Sequence, residues 1–283
     1  MIDVAAKLSG LRQFITAERC KALLVDLVRV PSPQTALMEA EPQLRTFIET
    51  AVAPRLSAMG FADIRYDEMG NLISTVGAGT SGKSLMLITN AMNQPAATMP
   101  NAYAGDVADG ARFGLPGEVV LGKGASEQKA NMAAMLVAME AVLRGGRPLA
   151  GRLVHVCCVS GETGSHAAIR SVIEGEGVRA DLGYLGGTSL MMTLGNRGRI
   201  DVFITVHGAP THSSRPEDGA NAVTGAMEVI RRLGEIRLDR VDPALGRQTL
   251  TVNRIRSFPE STHTIQASCE ITIDRRLLPG EDP

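Results

Sequence analysis

Two short segments carry the chain's best-placed acids. In "GKGASEQK" (122–129) Glu127 follows two glycines and a serine, and in "SGETGSH" (160–166) Glu162 sits on a glycine-flanked turn after an apolar run. Both lie where a strand-like pattern ends, and in an open α/β sheet ligands bind outside the carboxyl ends of the strands. Carboxylates converging there from different strands could hold zinc or another divalent cation. His166 follows Glu162 by four residues, so a helix over that stretch would offer both side chains to one cation. A third strand end, "LMLITNAMNQPAATM" (85–99), has no acid, histidine or thiol. Its Asn90, Asn93 and Gln94 suit hydrogen bonding to a polar ligand, and Met92 would ligate only soft metals.

Each of these residues also has a plainer reading. Glu127 beside a helix start can serve only the helix dipole. His166 can be a surface residue. His155, mid-strand in "RLVHVCCVS", reads as a hydrogen-bonded core histidine, and neither His207 nor His263 stands in a metal-binding pattern.

The elements that must position these residues alternate in type. Helical periodicity covers roughly 18–29 and 41–53, and strand patterns cover about 62–67, 71–76 and 84–89, with turn residues such as Gly70-Asn71 between them. The strongest helix is "SEQKANMAAMLVAMEAVLRGG". Ser126 is expected to cap it, and Met132, Met135, Leu136, Met139, Val142 and Leu143 form one stripe, read as core packing. A further apolar strand, a helix after Gly164 and "ADLGYLGG" complete an α/β layer with a mostly parallel sheet flanked by helices. After about residue 195 the pattern changes. "HTIQASCEITIDRR" alternates Ile265, Ala267, Cys269, Ile271 and Ile273 against polar residues, the mark of a half-buried strand in an α+β unit. The expected domains are 1–195 and 196–283. A three-stranded sheet with one helix is thin for a domain, which predicts more protein beyond Pro283 or a covering partner.

Composition narrows the function classes. With 283 residues, 44% of them hydrophobic, the chain can build two domains. A formal net charge of −1 and 3% aromatic residues give no basis for nucleic-acid binding, and the apolar runs are too short for a membrane span. Cys20, Cys157, Cys158 and Cys269 show neither metal spacing nor a disulfide framework. No signal peptide is expected, and a reduced cytoplasmic setting is.

Five segments in order resemble one family. "GKGASEQKANMAAML" resembles the Gly-Arg-Gly-Ala-Ser-Asp-Met-Lys-Gly-Gly motif of the dinuclear zinc aminoacylases and carboxypeptidases, a group that includes acetylornithine deacetylase, succinyl-diaminopimelate desuccinylase and glutamate carboxypeptidase. "VSGETGS" resembles its Asp-Glu-Glu-x-Gly segment, and "VHGAPTHSSRPEDGANAV" its lid-domain signature. "LVRVPSPQTALMEAE" with "MGNLIST", and "IDRRLLPGE", fit its outer landmarks. The resemblance implies a zinc-exopeptidase-like α/β domain and a smaller lid or dimerisation domain, here incomplete. It also implies a homodimer formed through the lid, with an N-acyl amino acid or peptide-like substrate.

The resemblance also marks substitutions. The family's His-x-Asp after the first strand reads Asn90 and Met92 here. Its bridging Asp falls at Glu127, its general base at Gly161, the adjacent ligand at Glu162, and the next acidic ligand at Gly186 or Gly187. The last ligand, a His, belongs to a C-terminal return segment not present in this sequence. The lid His that stabilises the oxyanion is kept as His212, and a substrate-contacting Asn of the lid corresponds to His263. The expected metal set is therefore Glu127, Glu162 and His166, with His212 catalytic and Asn90, Asn93 and His263 contacting substrate. Losing a general base removes about 10²–10⁴-fold in rate. The sequence thus predicts a metal-dependent amide hydrolase by type, weak or inactive as this chain alone. The alternative is a non-catalytic relative that binds a small polar ligand or partners an intact subunit.

Overall fold

The structure is a computed structural model, and it describes residues 10–145, 148–161, 163–186 and 195–282. The chain divides into two compact units, Met1–Leu190 and Met191–Pro283.

The first unit opens with α1 (Ala17–Val28), capped by the Thr16 hydroxyl, which accepts from the Arg19 N–H. The helical pattern at 41–53 becomes α2 (Pro42–Phe47) and α3 (Ala53–Ala58), joined by a π-helical turn over Ile48–Val52. Next come β1 (Asp63–Tyr66), β2 (Leu72–Val76), β3 (Ser84–Asn90), β4 (Asp106–Asp109) and β5 (Glu118–Leu121). The main helix α4 (Gln128–Arg144) precedes β6 (Arg152–Cys158), the short α5 (Ala167–Arg170) and β7 (Leu182–Leu185).

The central sheet runs β1-β2-β6-β3-β7. β6, β3 and β7 are mutually parallel, whereas β1, β2 and β6 pair antiparallel. The parallel part is therefore confined to the half of the sheet that carries the strand ends of interest. β6 lies in mid-sheet and is buried along nearly its whole length, so its apolar run does not alternate. Against the sheet pack Met132, Leu136 and Met139 of α4, together with Leu27, Leu44 and Phe47 of the flanking helices. The Met stripe is core. Cys157 and Cys158 are also buried, and burial pushes the Cys157 thiol up to about 12.

Ser126 does not cap α4. Glu127 holds the cap position with no side-chain cap bond, and Ser126 is exposed. The backbone before the helix is taken up by a tight turn in which Gly124 has a left-handed φ of 83° and packs against the Lys129 stem.

The second unit is a three-stranded antiparallel sheet, β11-β12-β8, built from β8 (Gly198–His207), β11 (Thr249–Phe258) and β12 (Ser268–Leu277). The short pair β9 (Val241–Asp242) and β10 (Gly246–Arg247) precedes β11. Helix α6 (Ala222–Leu233) covers one face, where Ala222 and Ala226 meet Cys269, Ile271 and Ile273. The alternating positions from Cys269 to Ile273 are the buried row, and Ile265 and Ala267 precede the strand. Among the described residues no helix is long and apolar enough to cross a membrane.

Candidate functional site

β3 and β6 end side by side, Asn90 opposite Cys158 in parallel register, and the first turn of α4 closes over them. Asn90 is the last residue of β3 and is buried. The amide orientation that satisfies both its ends donates to the carbonyls of Thr89 and Ser160 at 3.3 and 3.2 Å. Its other end faces the Gln128 side chain at 3.5 Å. Asn90 thus ties β3 to the loop leaving β6.

Met92 is buried in the main core cluster. Asn93 is also buried. Its Nδ2 donates to the Gln94 carbonyl at 3.1 Å, and its Oδ1 lies 3.0 Å from the Ser32 hydroxyl. The amide expected to meet substrate is thus engaged by its own loop on one side and by Ser32 on the other.

Glu127 stands at the N-terminal cap of α4, half-buried. Its Oε2 is sealed from solvent and has no hydrogen-bond partner among the described residues. A buried carboxylate oxygen without a donor is costly, and the helix N-terminus offsets part of that cost. Among the described residues of the crevice it is the carboxylate whose chemistry calls for a donor or a cation.

His166 corrects an expectation. It has a left-handed φ of 55°, precedes α5 and is exposed. Residues 163–165 form bends and the helix begins only at Ala167, so His166 stands ahead of it. Glu162 and Gly187 lie outside the described residues. Gly186 ends the run after β7, beside Asn131 of α4.

Two residues that sequence reasoning missed line the same region. Glu39 accepts from Ser160 Oγ at 3.0 Å and from Thr163 Oγ1 at 2.6 Å. Burial raises its pKa, but these bonds and its backbone contact outweigh burial and leave it lowered. Nothing in its local sequence announces a contact spanning more than a hundred residues. Lys129 is fully buried, donating to the Val30 carbonyl at 2.7 Å with its amine over the rings of Phe47 and Tyr103. Its signal was present: it shares the helical register of Met132, Ala133 and Leu136.

In the second unit His212 and His263 are exposed on neighbouring loops that a bridge between His212 and Thr264 holds together. Their rings are parallel within 6°, with centroids 6.5 Å apart. His212 Nδ1 lies 2.8 Å from the Ser214 hydroxyl and 3.2 Å from the Ser214 N–H. The tautomer that accepts from both would leave Nε2–H free to donate.

Among the described residues the donor set does not make a dinuclear zinc centre. Zinc takes Cys, His, Asp or Glu in sets of three or four. Among the described residues no group of three such side chains could hold a metal ion. One carboxamide (Asn90), a core thioether (Met92) and glycine (Gly161) stand at the other expected positions.

Comparison with known proteins places this architecture. Residues 194–283 match the peptidase dimerisation domain of the M20 peptidases. YgeY of Escherichia coli K12, an uncharacterized protein, is 27% identical over 93% of this chain, and succinyl-diaminopimelate desuccinylase 2 of Ruegeria is 24% identical over 90%. The chain spans 64% of the length of each. Among solved structures, the dipeptidase Dug1p of Saccharomyces cerevisiae superposes with a TM-score of 0.70 at 14% identity, covering 97% of this chain and 73% of that one. A tripeptidase of Staphylococcus aureus gives 0.67 at 20%, covering 95% and 68%. The fold is that of these peptidases, a mixed α/β layer with a dimerisation domain after it in the chain. The dimerisation-domain match and the desuccinylase relatives support the M20 aminoacylase and carboxypeptidase family as the one this chain resembles.

Proposed function

We propose that this chain is a hydrolase-type M20 protein with weak or no zinc-dependent hydrolysis of its own. Its strand-end crevice would bind a small polar, amide-bearing ligand of the N-acyl amino acid or peptide class. The observation that carries this reading is the residue set at the strand ends: Asn90, Met92 and Gly161 stand where a metal site needs imidazole and carboxylates, and Glu127 is left as an acid with an unpartnered oxygen. Water activation would lack both a base and a full ligand set. Hydrogen bonding to a neutral ligand, with Glu127 accepting from its N–H, uses what is present.

A second reading, an active hydrolase with a rebuilt cation site, draws on that same Glu127 oxygen and on the donor tautomer of His212. The proposed setting is cytoplasmic, as a homodimer through the second unit, without nucleic acid or membrane as partner.

The test is elemental mass spectrometry on untagged protein before and after zinc dialysis, followed by an N-acyl amino acid hydrolysis screen with and without chelator. Less than a stoichiometric metal and no chelator-sensitive turnover are expected. One or two tightly held ions per chain together with chelator-sensitive hydrolysis would replace this reading with the second.

A further inference from the structure

Gly161 occupies a position where the family resemblance sets an acid, Gly186 is one of two neighbouring glycines (with Gly187) at which it sets another, and both Gly161 and Gly186 lie against a carboxamide. A Cβ built on Gly161 would stand 2.3 Å from the amide terminus of Asn90 and 2.4 Å from its Cγ. A Cβ on Gly186 would stand 2.9 Å from both Cβ and Cγ of Asn131 and 3.0 Å from its Oδ1. Non-bonded atoms do not approach so closely, so one member of each pair would have to move. Neither glycine is needed for its backbone, since neither has a positive φ. Space alone requires them.

Neither carboxamide is loose. Asn90 is buried and, in its satisfied orientation, bonds the carbonyls of Thr89 and Ser160, bracing the exits of β3 and β6. Asn131 Nδ2 donates to the Glu127 carbonyl one turn earlier on α4, at 3.2 Å. Swinging either amide aside would break bonds that hold the crevice wall.

We infer that Asn90 and Asn131 are plugs: each fills the volume that a side chain at 161 or 186 would need, so the exchange of acids for glycines is locked in pairs. An acid restored at 161 or 186 alone meets an amide already in place. The positions are coupled, Asn90 with Gly161 and Asn131 with Gly186. The pairing rests on the functional reading above only in taking 161 as a family acid position and 186 as one of the two candidates, with 187, for the next.

A double-mutant cycle on the full chain tests this. Gly161→Ala is expected to lower Tm by about 3–6 °C when Asn90 is present, and by no more than about 1 °C in the Asn90→Ala background. Gly186→Ala should behave likewise against Asn131→Gly. If Gly161→Ala or Gly186→Ala yields no folded protein, recovery of folded protein in the paired double variant is the same result. Equal losses in both backgrounds, or a double variant that also fails to fold, would overturn the inference. Zinc retention with chelator-sensitive hydrolysis by the unaltered protein would remove the functional reading and leave this pairing standing, so the two fail separately.

Discussion

Two buried bases make the stability of this chain depend on pH in separate windows. The Lys129 amine has lost its water, which lowers its pKa to about 7, against 10.5 for a free lysine. Between those values the unfolded chain binds the proton more readily than the folded one, so folding stability rises from pH 7 toward 10 and is lost as pH falls through that range. Urea unfolding at pH 7 and pH 9 should differ by about 2 kcal/mol for the unaltered chain. Lys129→Met should abolish that increment; an unchanged increment would mean that Lys129 is not its source. His155 acts lower on the scale. Its ring is buried, with Nε2 3.2 Å from the Thr89 hydroxyl and Nδ1 without a partner among the described residues, and desolvation lowers its pKa to about 4. Its contribution is complete above pH 6.5 and declines as pH drops toward 4, by up to about 3 kcal/mol. In His155→Gln the loss of Tm between pH 7 and pH 4.5 should shrink; an equal loss would place the acid sensitivity elsewhere.

At the scale of elements, the second unit offers a test of what a family signature residue does. Asn221 lies in "DGANAV" and caps α6, its Oδ1 accepting from the Val223 N–H at 2.9 Å. Asn221→Ala should cost about 1 kcal/mol by chemical denaturation, the usual value of a cap, and Asn221→Asp should recover most of it. A variant that loses nothing would move the role of this residue from folding to ligand contact. The same elements show where local sequence was enough. The period of α4 and the alternation of β12 were readable because each has one buried face, and burial enforces 3.6 or 2 as the repeat. The Ser126 cap was misread because it lies on a glycine-bearing turn, where left-handed backbone rather than side-chain preference decides where a helix can begin; the helix expected after Gly164 does form, from Ala167. The residues of the strand-end crevice were legible by family resemblance. The contacts of Asn90 with Ser160 and of Asn131 with Gly186 were not, since no local pattern encodes a packing distance.

At the scale of the whole molecule, each unit leaves an apolar feature uncovered, and the two make different predictions about association. In the first unit, edge strand β7 exposes Leu182 at 70% and Leu185 at 58%. Near its start lies an apolar groove of about 460 Å³ that includes Leu85, Leu87, Val142 and Leu153. In the second unit, edge strand β8 exposes Phe203 at 74% on the sheet face opposite α6. Open edges with apolar side chains are the usual templates for pairing. If the homodimer forms through the second unit, Phe203→Glu should shift sedimentation toward monomer, because a charge placed in a shared apolar contact would be buried unpaired. Leu182→Lys should then leave the dimer intact while reducing slower, non-specific association. The reverse pattern, a dimer lost with Leu182→Lys and kept with Phe203→Glu, would assign self-association to the β7 edge and free the second unit for a different partner.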